Sequence, residues 1–361
     1  MGYSSFSPSS VARSRESGFI VELIPYPDPV AAETQLPWSV YRALWRIKAW
    51  IWRVRKAVEL NPNLVQASDV KEILEALTIR LLTGAKLLYD SHEDYFNQFY
   101  EYRGRTGIAF LTASFFRCLE LLFLPLFHYL FCTDEYLQQL YSRSFSPCPE
   151  PRLLRNFAPV DLIAAKESYC EKKELSLVYV GSINRYRGLL EAIAHIDRFN
   201  DERDGEYRVT LHVHAAQSPE LKELCLNDFV FDEGWLPYEE LGKRLRDYDV
   251  GISLLQRLKK YERNLPVKNF DYMAAGLSII TSDFGNLKTY VEEADCGYCI
   301  DPKDYSAFEM AIMELFSRER RATLGENARR YAEGVANFFE ESKEYCDIVI
   351  REASRVQGRV K

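Results

Sequence analysis

Two stretches of the chain combine residues able to grip an anionic ligand. In the first, an apolar run at 175–180 leads into Gly181-Ser182-Ile183-Asn184-Arg185-Tyr186-Arg187-Gly188 and then a helical period over 189–199. Gly181 lets the backbone approach a ligand, and the start of the following helix presents unpaired N–H groups and a partial positive charge. Arg185 and Arg187 add cationic donors at the same place. The second stretch, Pro266-Val267-Lys268-Asn269-Phe270-Asp271, opens a helix that Gly276 closes. Proline suits the first turn of a helix and glycine its C-terminal cap. Lys268 and Asp271 are three apart and share one helix face. A cation beside a carboxylate at a helix start can hold a nucleotide diphosphate and its ribose hydroxyls together.

Such groups need strands to place them, and the pattern supplies strands in two series. In the first half, 19–24, 64–67, 86–89 and 129–132 read as strands, with helical periods at about 38–59, 69–82 and 106–123. The second half restarts with strands at 175–180, 208–214, 229–231, 250–254 and 277–281, and is helical from Asp304 to about 355. Alternating strands and helices are the signature of βα units on parallel sheets. A Pro-rich, weakly periodic stretch at 144–174 reads as the junction. The expectation is an α/β chain of two Rossmann-like doubly wound domains, residues 1–157 and 158–336, with a C-terminal helix at 337–361 packing back on the first.

Composition narrows the class. The 361 residues carry a net charge of −7, which argues against a nucleic-acid partner. Eight cysteines are too few for a disulfide scaffold, and the polar first 17 residues hold no apolar leader, so a cytoplasmic chain is expected. The apolar run at 110–131 is broken by Arg117, Glu120, Pro125 and His128, and reads as a buried helix followed by a strand rather than a membrane span.

The motif from Pro266 to Ile280 and the loop from Gly181 to Gly188 resemble those of retaining glycosyltransferases of the GT-B fold, in the family-4 group (glycosyl transferases group 1). The resemblance extends to Tyr89-Asp90-Ser91-His92-Glu93, Arg155-Asn156-Phe157 and the stretch from Cys296-Gly297 to Asp301-Pro302. It implies that Arg187 and Lys268 hold the donor diphosphate and neutralise the leaving group, that Gly181 and Ser182 line the phosphate, and that Asp271 accepts from the ribose. His92 would touch the transferred sugar. The implied donor is a UDP- or GDP-sugar, with no metal or other cofactor. Two alternatives stay open: a non-catalytic sugar-nucleotide-binding or scaffold protein of this fold, and a GT-B sugar-nucleotide epimerase.

The chain departs from the family at three places. Arg263 stands where the first Glu of an E-x7-E motif belongs, with Glu262 adjacent, and Ser182 replaces an arginine for which Arg185 can substitute. The first strand of the N-terminal domain is not evident, since 11–22 resembles the helix and second strand that should follow it. Cys296-x-x-Cys299 has no helix start after it to activate a thiol, and His212 and His214 lack a third ligand, so neither pair is read as a redox or metal site. Glu120 reads as a buried partner for an arginine.

The helix at 38–59 is not explained by the family. Val40, Leu44, Ile47, Ile51, Val54 and Val58 form one stripe, expected to face the core. Arg42, Arg46 and Arg53 fall on the opposite side, flanked by Trp38, Trp45 and Trp52. Tryptophan interleaved with arginine suits a membrane interface. That face is expected to dock on an anionic bilayer, peripheral at its cytoplasmic side, to reach a lipid-linked acceptor.

Overall fold

The computed structural model describes residues 13–16, 19–22 and 38–354, apart from 103, 145–146, 185, 217–218, 225–226 and 264; the side chains of the first helix are described from Ile47 onward. Strands β1 (Arg13–Glu16) and β2 (Phe19–Glu22) pair only with each other, antiparallel. The helix expected within 11–22 is therefore replaced by a short hairpin, and the strand beginning at Phe19 lies outside the parallel sheets.

The first parallel sheet runs β3 (Leu64–Ala67), β4 (Lys86–Ser91), β5 (Tyr129–Cys132) and β6 (Pro151–Leu153), in that order. Successive side chains point to opposite faces, so Leu87, Tyr89, Leu130 and Cys132 meet one layer while Leu88, Tyr129 and Phe131 meet another. The first layer holds α1 (Trp38–Leu60), α2 (Ile73–Thr83), α3 (Tyr95–Tyr102), α4 (Gly107–Phe123) and α5 (Glu135–Ser144). β6 falls inside the segment expected to be an irregular junction. Its first residue is Pro151, which an edge strand tolerates because no ladder partner needs its missing N–H.

The second sheet is built from β7 (Glu174–Val180), β8 (Arg208–His214), β9 (Val230–Asp232), β10 (Val250–Ser253), β11 (Ser278–Ser282) and β12 (Gly297–Ile300). All pairs are parallel, in the order β12-β11-β10-β7-β8-β9. Its helices are α6 (Leu189–Arg203), α7 (Pro219–Leu224), α8 (Tyr238–Arg244), α9 (Lys259–Arg263), α10 (Val267–Ala274), α11 (Gly285–Ala294), α12 (Tyr305–Leu315) and α13 (Arg318–Gly334). Strand order reverses between β7 and β10, and the crevice beyond such a switch point is where open α/β sheets bind ligands. β12 is the edge strand that the cysteine motif concealed. Burial drives the Cys296 thiol upward and the Cys299 thiol up to about 12, so neither is activated.

The chain then returns to the first unit. α14 (Phe338–Glu341) and α15 (Lys343–Ser354) follow a bridge between Ala158 and Asn337. Ile348 joins Leu88 and Phe131 on the second face of the first sheet. Buried Glu352 accepts from Lys86 at 3.0 Å and from the Tyr129 hydroxyl at 2.6 Å.

Two expectations about the helical layer are overturned. α4 is not a buried helix: it buries Ala109, Ala113 and Glu120, whereas Ile108, Phe110, Leu111, Phe115, Leu121 and Leu122 are exposed. α1 is turned around its axis relative to the expected arrangement. Of the expected core stripe, Val54 is buried as foreseen, but Ile47, Ile51 and Val58 are exposed, and Ala49 from outside the stripe is buried instead. Arg53, placed on the solvent side by the sequence, instead forms a two-pronged ion pair with Glu75 of α2, both contacts 2.7 Å. Arg53 nonetheless keeps a 46% exposed side chain, so the pair lies at the margin between α1 and α2. Trp52 is half-buried. The side chains of Trp38, Arg42, Trp45 and Arg46 lie outside the described residues.

Candidate active site

At the switch point, the loop after β7 is shaped by two glycines that no other residue could replace at equal cost. Gly188 has φ +70°, and a Cβ there would lie 1.2 Å from the Leu254 carbonyl oxygen, beyond the end of β10. That contact, with the Gln256 N–H donating to the Tyr186 carbonyl at 3.1 Å, presses the loop across the switch point. Gly181 has φ +129°, and the position a Cβ would take is 3.9 Å from Lys268 Nζ. The glycine therefore leaves open the space above the lysine. The Tyr179 hydroxyl donates to the Ser182 carbonyl at 2.7 Å and holds the loop's first turn.

Two cations converge on this space. Lys268, in the first turn of α10, places Nζ 4.0 Å from the centre of the Tyr179 ring. Its stem is partly exposed, but Nζ is buried and makes no hydrogen bond, and Arg187 Nε is buried in the same condition. Desolvation, and then the positive charge of Arg187, pull the Lys268 ammonium down to about 7. Buried like charges without a counter-ion are costly, and an anionic ligand between them reverses the cost. Arg185 lies outside the described residues.

Asp271 shares α10 with Lys268 but no ion pair joins them. Its Oδ1 accepts from the Tyr238 hydroxyl at 2.5 Å, and burial raises the carboxyl to about 7. Tyr238 and Tyr179 had no sequence signal; both become visible only when α8 and β7 are brought against α10. Gly276 closes α10 at φ +73°, as its position implied.

His92 follows β4 in the first unit. Its side chain is 39% exposed, with Nε2 3.1 Å from Asp90 Oδ2, and that hydrogen bond raises its pKa. The other oxygen of Asp90 is buried without a partner. Thus the structure brings Gly181, Arg187 and Lys268 together and sets His92 and Asp90 on the other domain. The domains meet nearby through Arg263, whose guanidinium lies 4.0 Å from the centre of the Tyr136 ring on α5. The Tyr136 hydroxyl donates to Asp94 at 2.9 Å, and Asp94 pairs with Arg117 at 2.7 Å. Arg263, which left an expected carboxylate missing, is thus an inter-domain contact. His212 pairs with Glu233 at 2.7 Å and His214 meets the Tyr248 hydroxyl at 2.8 Å, so both already have partners. Glu120 is buried and accepts from Tyr89 at 3.0 Å and Tyr141 at 2.8 Å.

Residues 174–318 match the family described as Glycosyl transferases group 1. Solved structures cover most of the chain. Sucrose-phosphate synthase from Thermosynechococcus elongatus is 16% identical, with a TM-score of 0.64 over 88% of this chain and 80% of that one. HepE of Anabaena in complex with UDP and glucose is 12% identical, with a TM-score of 0.63 over 84% and 82%. α,α-Trehalose 6-phosphate synthase from Burkholderia multivorans is 12% identical, with a TM-score of 0.60 over 91% and 79%. No curated protein matches the sequence at a significant level. The chain thus has the GT-B fold of these structures, and its residues 174–318 match the Glycosyl transferases group 1 model.

Proposed function

We propose that the protein is a retaining glycosyltransferase that moves a hexosyl or N-acetylhexosaminyl group from a UDP- or GDP-sugar to a lipid-linked or surface-polysaccharide precursor, at the cytoplasmic face of a membrane. The observation that carries this reading is the pair of buried, unpartnered cationic groups, Lys268 Nζ and Arg187 Nε, beside open Gly181 at the switch point. A diphosphate placed there would satisfy both. As the bond from the sugar C1 to the diphosphate oxygen breaks, charge grows on that oxygen, and two preorganised cations stabilise it most when it is largest. The acceptor oxygen forms its bond to C1 on the face the diphosphate leaves, and its proton passes to the departing oxygen. His92, oriented by Asp90, contacts the sugar from the other domain. Asp271, held by Tyr238, receives the ribose hydroxyls. In this reading the charge on the diphosphate is met by side chains, without a metal ion. Support for a UDP-type donor comes from the bound UDP and glucose in the Anabaena neighbour.

The test is a thermal-shift series with UDP, GDP and their sugars, using Lys268→Ala as control. Stabilisation follows RT ln(1 + [L]/Kd), so a saturating nucleotide raises the melting temperature of the parent and not of the variant. Absence of a shift with every nucleotide rejects the donor site. A shift without transfer or epimerisation of any sugar favours the non-catalytic reading.

A further inference from the structure

We infer that α4, not the tryptophan side of α1, is the element that docks on a lipid bilayer, lying flat in its interface. The inference rests on the membrane reading above and assigns it a surface. Ile108, Leu111, Phe115, Cys118 and Leu122 follow one another at steps of three and four, and so form one stripe along the helix. Their exposure reaches 74% at Ile108, 69% at Leu111, 57% at Phe115 and 67% at Leu122. The neighbouring helices extend the patch: α2 exposes Leu74, Leu81 and Leu82, and α1 exposes Ile47, Ile51 and Val58. So many large apolar side chains exposed on helices that pack against one another mark an interaction site.

The opposite side of α4 excludes a spanning role. Ala109, Ala113 and Glu120 face the sheet, with Glu120 bonded to Tyr89 and Tyr141, so the helix cannot leave the fold to cross a bilayer. The charges select a bilayer over a second copy of the chain. α1 carries six Lys or Arg and one Glu in sequence, and among its described side chains Lys48 and Arg55 are exposed. The only carboxylates of α1, α2 and α4 are Glu59, paired with Lys56; Glu75, paired with Arg53; and buried Glu120. These three helices thus offer another copy of themselves no unpaired exposed carboxylate, whereas anionic headgroups answer the cations while acyl chains receive the stripe. Such a combination of apolar insertion and basic attraction gives stable peripheral binding where either alone is weak.

The experiment is co-sedimentation of the full chain with vesicles of phosphatidylcholine alone or mixed with phosphatidylglycerol. The parent is expected to sediment with the anionic vesicles, and the triple variant Leu111→Ser, Phe115→Ser, Leu122→Ser to lose roughly tenfold or more of that partition. In a second variant, Phe115→Trp, the emission in excess of the parent's five native tryptophans shifts to the blue and is quenched by brominated acyl chains. Equal partition of parent and triple variant overturns the inference, as does a parent that stays in solution with all vesicles. An unquenched Trp at 115 also overturns it, and self-association of the parent abolished in the triple variant reassigns the face to a second copy. Nucleotide thermal shifts read the donor site separately, so either proposal can fail alone.

Discussion

The buried lysine makes nucleotide binding a proton-coupled event. In the free protein the Lys268 ammonium titrates at about 7, held down by desolvation and by Arg187. A diphosphate in the site favours the charged form and returns the pKa toward its ordinary range of about 10.4. Between those values the nucleotide binds together with a proton. The apparent affinity then falls with the charged fraction of Lys268 in the free protein, which drops from pH 7.5 to pH 9 by a factor of about 25, or about 1.9 kcal/mol. This window lies above the second ionisation of a phosphate near 6, so the charge on the diphosphate stays constant. At pH 8, calorimetry of UDP or GDP binding in buffers of different ionisation enthalpy should register uptake of about 0.9 proton. Lys268→Arg supplies the control, because a guanidinium stays charged throughout: weaker binding is expected from its different shape, but with little pH dependence. If affinity is flat between pH 7.5 and 9 in the parent, or the same slope persists in Lys268→Arg, the reasoning about an uncompensated lysine is wrong.

Further outcomes follow from particular contacts. Burial raises the Glu120 carboxyl to about 7, above its unfolded value, so its contribution to stability is present in acid and fades as pH rises through 7. Glu120→Gln should therefore flatten the pH dependence by up to about 3 kcal/mol between pH 4.5 and 8, read by urea unfolding of both proteins; identical profiles would exclude Glu120 as the source. Gly188→Ala meets the Leu254 carbonyl, so the variant should show a lowered melting temperature and no nucleotide shift, and a normal shift would contradict the tight loop. Arg263→Ala removes the stack on Tyr136, worth about 1 kcal/mol. Small-angle scattering should then show a more open mean shape, and an unchanged radius of gyration would deny Arg263 a role in holding the domains. Tyr238→Phe frees Asp271 Oδ1, and Asp271 should then discriminate less between ribose and deoxyribose nucleotides in the thermal-shift series, an effect absent if it does not face the ribose.

Much of the architecture was legible in local pattern. β3, β5 and β8 begin and end where their alternating or apolar runs do, and Gly276 caps α10 at positive φ as its place after the helix implied. Such features depend on a few consecutive residues, whose preferences do not change with distant contacts. Lys268, Arg187 and Gly181 were identifiable as anion-binding types for the same reason. What pattern could not reveal was the state of those groups: Lys268 is depressed to about 7 by burial and then by the charge of Arg187, which is remote in sequence. Strands β6 and β12 escaped notice because edge strands carry proline and half-exposed residues that resemble loops.

The helical layer separates the two kinds of information most clearly. Periodicity determined that Ile47, Ile51 and Val58 share a side of α1, and that Ile108, Leu111, Phe115 and Leu122 share a side of α4. It could not determine which side is covered, because an apolar stripe is equally regular whether it meets a sheet, a lipid or solvent. Tertiary structure decided that through two polar anchors: Arg53 is drawn to Glu75, and Glu120 to Tyr89 and Tyr141. Buried Glu75 and Glu120 each need a partner across the fold, and the sides of α1 and α4 that supply those contacts pack inward while most of each apolar stripe faces outward.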